Sequence, residues 1–202
     1  AIWFTQMMAD QIGQLVVQTA TDYALTTYRQ SSLNGGRPRG IAASGSSIYV
    51  AQTANDRISV FTPPGSWIHM PAPSSAIALD EPYALVADGE GRVWGTERAG
   101  NSVDQYGVMS FPDITRYPVS PPNSGPTAIT VDPSGQIWFT QRSAGRVGRL
   151  NSEAPTGSQT STPLPQEGLW PTGIAADGAG GIWVVASRPW RFYLPLALRG
   201  GS

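Results

Sequence analysis

The stretch that decides the fold reads Pro126-Thr127-Ala128-Ile129-Thr130-Val131-Asp132-Pro133-Ser134-Gly135-Gln136-Ile137-Trp138-Phe139-Thr140-Gln141 and runs on to Val147-Gly148-Arg149-Leu150. Ala128 to Val131 is apolar nearly throughout, as a strand covered on both faces must be. Asp132 and Gly135 then stand three apart. Asp can bond its own backbone and Gly can take a positive φ, so the pair predicts a tight turn. Ile137 to Thr140 is a second strand, and Val147 and Leu150 mark an alternating third.

Outward from this copy, the pattern recurs through the chain. Ile137-Trp138-Phe139-Thr140-Gln141 returns as Ile2-Trp3-Phe4-Thr5-Gln6, Ile48-Tyr49-Val50-Ala51-Gln52, Val93-Trp94-Gly95-Thr96-Glu97 and Ile182-Trp183-Val184-Val185-Ala186. The anchors Trp3, Tyr49, Trp94, Trp138 and Trp183 lie 46, 45, 44 and 45 residues apart. Pro38, Pro82, Pro126 and Pro171 open the preceding strands at intervals of 44, 44 and 45. A fourth strand, weak and rich in Thr and Pro, follows the third, as at Ile114 to Pro118. Proline cannot donate to a ladder, which puts that strand at an edge.

Four antiparallel strands in each unit of about 45 residues predict an all-β fold, a β-propeller of four-stranded blades. The organisation expected is a propeller over 1–187, with a partial blade at 1–32 and full blades at 33–76, 77–121 and 122–166. A further partial blade spans 167–187, and 188–202 is a tail, either an added strand or a docking segment. Blades cut at both ends point to an incomplete six- or seven-bladed ring. The alternative is a five-bladed ring that the tail closes by pairing with Ile2 to Thr5.

Composition narrows the function. The chain has 202 residues, 13 basic and 14 acidic, one His and no Cys, and every basic residue is Arg. Disulfides, thiol nucleophiles, Cys zinc sites and Schiff-base lysines are excluded. A net charge of −1 offers no counter-ion logic for nucleic acid, and no apolar run reaches membrane-spanning length. Low charge with abundant Ser, Thr, Gly and Gln suits an exported protein, so an extracytoplasmic location is expected: periplasmic, cell-surface or secreted, in a bacterium.

The repeat Pro-x-Gly-Ile-x-x-Asp-x-x-Gly-x-Ile-Trp-Phe-Thr-Glu/Gln followed by Val-Gly-Arg-Leu resembles the streptogramin lyase (virginiamycin B lyase) type of propeller, a relative of NHL-type repeats. The resemblance runs from Ile2 to about Trp183. It implies seven blades, and opening of a depsipeptide ring by elimination, with a His general base beside a Mg²⁺ held by Glu residues near the axis. In such propellers the base follows the blade-opening Pro, where this chain carries Arg39, Tyr83, Thr127 and Thr172. The Glu that ends Trp-Phe-Thr-Glu survives only as Glu97, against Gln6, Gln52, Gln141 and Ala186. Gln cannot replace a carboxylate at Mg²⁺ without loss of charge, and elimination needs a base that works near neutral pH.

Each remaining candidate has a structural reading beside the functional one. The Trp anchors suit a stacking platform, but their blade spacing favours packing between blades. His69 falls on a predicted outer strand with no carboxylate in sequence reach, so a half-exposed edge His is expected. Asp88, Asp132 and Asp177 read as hairpin turns, and only Asp88-Gly89-Glu90-Gly91 carries a second carboxylate. Loops between strands two and three share a face with those leading into strand one, where propellers place ligands. Arg39, Tyr83, Glu97, Gln141 and Arg142 are the ligand-face candidates. No catalytic residue, metal ligand or cofactor is assigned. The function expected is a non-catalytic binding or assembly module that meets a protein partner through Phe192 to Leu198. The alternative is a Mg²⁺-dependent C–O lyase whose catalytic residues lie outside this segment.

Overall fold

A computed structural model describes residues 1–29, 35–70, 77–107, 114–153 and 159–188, and the backbone of 191–198. Among these residues there are eighteen β-strands and almost no helix. The first sheet holds β1 (Ile2–Gln6), β2 (Gln11–Val17) and β3 (Tyr23–Arg29). The second holds β4 (Pro38–Ser44), β5 (Ser47–Gln52), β6 (Arg57–Thr62) and β7 (Ser66–Met70). In the third are β8 (Pro82–Ala87), β9 (Val93–Glu97), β10 (Ser102–Tyr106) and β11 (Ile114–Pro118). The fourth comprises β12 (Pro126–Val131), β13 (Ile137–Gln141), β14 (Arg146–Leu150) and β15 (Thr160–Pro163). The fifth comprises β16 (Trp170–Ala176), β17 (Ile182–Arg188) and β18 (Arg191–Leu198). Every pairing is antiparallel between chain neighbours, and each sheet is a propeller blade. The tail is therefore a strand, with Leu196 opposite Val184 and Leu198 opposite Ile182.

Sequence explains the stacking of blades. On strand two, side chains alternate between the two faces of the blade. Trp94 points forward into a cluster with Ile129, Ile137 and Phe139 of the next blade. Trp138 likewise packs against the core of Ile182 and Val184, and Trp3 against that of Ile48 and Phe61. Phe139 lies over Gly148, its cross-strand partner, where a Cβ would fall inside the ring. Gly148 of Val-Gly-Arg-Leu is thus the floor for an aromatic side chain.

The Trp anchors are packing residues where a following blade exists. Trp94 is fully buried, Trp3 and Trp138 are half-buried, and Trp183, with no blade in front of it among the described residues, is 49% exposed. Each of three Trp side chains has a polar tether that the sequence did not suggest. The indole Nε1–H donates to a turn carboxylate: Trp94 to Asp88 at 2.9 Å, Trp138 to Asp132 at 2.8 Å and Trp183 to Asp177 at 2.9 Å. The other oxygen of each Asp accepts backbone N–H groups of its own turn. Gly91, Gly135 and Gly180 take the positive φ there.

Candidate functional site

One end of the blade stack is assembled by three devices that recur with the repeat. Strand one carries a register shift just after its proline, between Pro38 and Ile41, Pro82 and Leu85, Pro126 and Ile129, and Pro171 and Gly173. A bulge frees a backbone donor and re-aims the neighbouring side chain. The strand-two Thr meets that donor. Thr96 Oγ1 accepts from Ala84 N at 3.2 Å and donates to Thr127 O of the next blade at 3.0 Å. Thr5 reaches Arg39 O in the same way, at 2.9 Å.

The third device is a left-handed residue just before strand three. Asp10, Asp56 and Asn101 have φ of 48°, 48° and 51°. Their side chains accept backbone N–H groups from the next blade's lead-in loop, at Gly35, Glu81 and Ser124. Neighbouring loops are thereby tied to one another, and the channel mouth they form is pre-organised rather than loose.

The bulge falls beside Arg39, Tyr83, Thr127 and Thr172 at the loop end of strand one, where Thr127 is buried and shares a hydrogen bond of 3.0 Å with Thr140. Arg39 is exposed, and its Nη1 donates to Tyr83 Oη at 2.9 Å while its Cζ lies 4.7 Å from the Tyr83 ring centre. Arg98 approaches the same ring at 5.5 Å and forms a two-pronged pair with Glu81, at 2.9 and 2.7 Å. Arg142 stands over Trp170, its Cζ 4.6 Å from the ring centre. A depression of about 370 Å³ lies between the third and fourth blades, with Glu81, Arg98, Asn123, Thr127, Arg142 and Ser143 on its walls.

Glu97 and Gln141 do not face that mouth. Both are fully buried, as is Gln52. Glu97 accepts Tyr106 Oη–H at 2.8 Å on Oε1 and Asp80 N–H at 2.7 Å on Oε2. Gln141 donates to Ser120 O at 2.7 Å and to Ser124 Oγ at 3.1 Å, and accepts from Ser161 Oγ. Gln52 donates to Ser59 Oγ and accepts from Asn55. Glu97 and Gln141 are therefore internal plugs that pin the lead-in loop of their own blade, while Gln52 is a buried plug tied to strand three and to the loop before it. Burial, and then the charge of nearby Asp104, push the Glu97 carboxyl up to about 8, against partial relief from its hydrogen bonds. Asp104 is itself buried and paired with Arg116 at 2.7 Å. One guanidinium thus faces two carboxylates, and Glu97 yields by holding its proton.

His69 lies on the outer strand β7, half-buried, with Nδ1 2.8 Å from Ser59 Oγ. Burial and the Arg57 charge lower its pKa. Asp88 and Glu90 line a second depression of about 400 Å³ at the opposite end of the blades, where both carboxylates are engaged by Arg92. Among the described residues no three His, Cys, Asp or Glu side chains converge to hold a metal ion. A Mg²⁺ needs an accessible oxygen cage. The donor set here does not fit one, because Glu97 is buried with both oxygens occupied and Glu81 is committed to Arg98.

The structure joins Arg39 to Tyr83 and sets Arg142 on the wall of the depression between the third and fourth blades, while Glu97 and Gln141 belong to the interior. Sequence reasoning missed Arg98, Trp170 and the bridging set Asp10, Asp56 and Asn101. The last set had a signal: it follows the anchor spacing, with Gly145 in the fourth place.

Residues 75–191 match the virginiamycin B lyase family. A virginiamycin B lyase from Nocardia farcinica (strain IFM 10152) is 29% identical over 191 residues, a match covering 93% of this chain and 60% of the relative. The fold superimposes on a catalytically inactive virginiamycin B lyase from Staphylococcus aureus with quinupristin at a TM-score of 0.77 and 25% identity, over 91% of this chain and 58% of that one. A streptogramin B lyase structure aligns at a TM-score of 0.78 and 22% identity, over 98% and 65% of the two chains, a likeness of fold. The chain thus spans about 60% of the length of the curated relative it matches.

Proposed function

We propose, from the premise that this chain belongs to the virginiamycin B lyase family, that it is an extracytoplasmic propeller which recognises a ligand at the channel mouth without breaking a bond in it. The observation that carries this reading is the chemistry of the mouth. Its ring-stacked cations are Arg39, Arg98 and Arg142, its carboxylates Glu81, Asp10 and Asp56 are engaged by Arg98 or by loop N–H groups, and the one family-type carboxylate, Glu97, is sealed inside its blade. Guanidiniums bind and orient, but none of them can take a proton near neutral pH. Recognition of a protein partner through residues 192–198 is part of the proposal. It is supported by β18 pairing with β17 on one edge and with no strand on the other among the described residues.

A second reading has kinship in its favour. In it, the chain is part of a Mg²⁺-dependent C–O lyase whose base and metal ligands lie outside residues 1–202. Incubation of the purified protein with a streptogramin B depsipeptide and excess Mg²⁺, followed by chromatography, separates the two. Intact cyclic peptide is expected. Linear product that disappears on adding EDTA would sink the recognition reading and favour the lyase.

A further inference from the structure

We infer that the depression between the third and fourth blades binds the oxyanion group of a ligand, a carboxylate or a phosphate, on Arg142 and Arg98. The inference rests on the recognition reading above and adds the ligand's chemistry to it. Arg142 has no carboxylate within ion-pair distance among the described residues, although it lines a polar cavity of about 370 Å³. Its guanidinium lies against Trp170 at 4.6 Å. Stacking uses the flat face of the group and leaves the in-plane N–H fork, which matches two oxygens of a carboxylate or phosphate.

Arg98 stands on the wall across the cavity. Its Nε and Nη2 are committed to Glu81, while Nη1 carries no protein acceptor in that pair. Two guanidiniums against one carboxylate leave the cavity with one positive charge to be met. The backbone beneath is fixed. Arg142 N donates to Gly125 O at 3.0 Å, Ser143 N to Ser124 O at 2.9 Å and Arg98 N to Glu81 O at 3.0 Å. Little loop entropy is therefore lost when an anion arrives. Arg149 is the internal control. It also lies over a Trp ring, Trp138 at 5.6 Å, but it is exposed and lines no part of this cavity.

The test is a titration of the ¹⁵N-labelled full chain with inorganic phosphate and, separately, with citrate, at constant ionic strength, reading arginine Nε–H resonances. Saturable shifts at Arg142 and Arg98 are expected with at least one probe, at a Kd on the order of millimolar. The stronger probe identifies a phosphate or a carboxylate as the group recognised. Arg142→Ala should weaken binding about tenfold or more, and Arg142→Lys should restore only part of it, because an ammonium keeps the charge and loses the fork. Arg149→Ala should change nothing. Absence of saturable shifts with both probes, or an equal loss in Arg149→Ala, would overturn the inference. Either result leaves the depsipeptide assay untouched, and turnover in that assay would remove the recognition reading without altering the anion titration.

Discussion

Glu97 shows how one side chain can carry a family signature and a different job. Its oxygens hold Asp80 N–H and Tyr106 Oη–H inside the blade, beside a second buried carboxylate. The folded state therefore keeps its proton up to about pH 8, whereas the unfolded chain releases it near 4.5. A pKa raised by folding gives stability that is complete below the unfolded value and lost as pH climbs through the folded one. Gln occupies the same position in three other copies, as Gln6, Gln52 and Gln141. An amide still accepts from Asp80 N–H and can donate to the Tyr106 oxygen, with nothing to ionise. Glu97→Gln should accordingly flatten the decline between pH 5 and pH 9, and at pH 9 should exceed the parent by roughly 2 kcal/mol or more. Urea midpoints across that range measure it, and parallel curves for the two proteins would refute a neutral, buried Glu97. The sequence put Glu97 at the right end of the right strand, but a side chain at a strand end can turn to solvent or inward. Only packing of Tyr106 and Asp80 around it decides which.

At the scale of the element, the hairpin turn was legible and its reach was not. The Asp-x-x-Gly spacing reported a turn because local geometry alone demands it. The bond from Asp132 to Trp138 crosses six residues and depends on how the hairpin twists, so no local rule announces it. One Asp132 oxygen accepts from Ser134 N and Gln136 N, and the other from the indole. Asp132→Ala should cost about 1–3 kcal/mol by orphaning these donors. The equivalent change at Asp177 should cost less, since the Trp183 hydrogen bond is open to water. Denaturant unfolding of both variants measures the difference, and equal losses would show that the turn, not the half-buried indole, bears the cost. Strand four was weakly written because its Thr and Pro residues report only an edge. The bulge at strand one escaped notice because its remedy, Thr96, lies on another strand.

Across the whole molecule, the period made the propeller readable, since five copies of one pattern must bury the same face in the same way. Arg39, Tyr83 and Arg142 were named from topology as ligand-face candidates, and the structure adds what each touches: Arg39 meets Tyr83, and Arg142 lies over Trp170. Arg98 and Trp170 were not named, because their importance comes from what the adjoining blade sets beside them. The ends of the stack illustrate the same dependence. Ile2 is 59% exposed where its repeat partners Ile48, Val93, Ile137 and Ile182 are at 4% or less. Trp183 is 49% exposed where Trp94 is at 0%. Within the described residues β18 pairs with β17 and not with β1, so the pairing that closes a five-bladed ring is not formed. If a residue's role is set by the blade facing it, two identical substitutions at equivalent repeat positions must differ in cost. Trp94→Ala should lose about 3–5 kcal/mol through the cavity it leaves, and Trp183→Ala no more than about 1–2 kcal/mol, because water already covers half of the ring. Urea unfolding of the two variants beside the parent is the most direct measurement. A large loss at Trp94 with a small one at Trp183 is the expected result; equal losses would mean that Trp183 is covered in solution and that the facing blade does not set the cost.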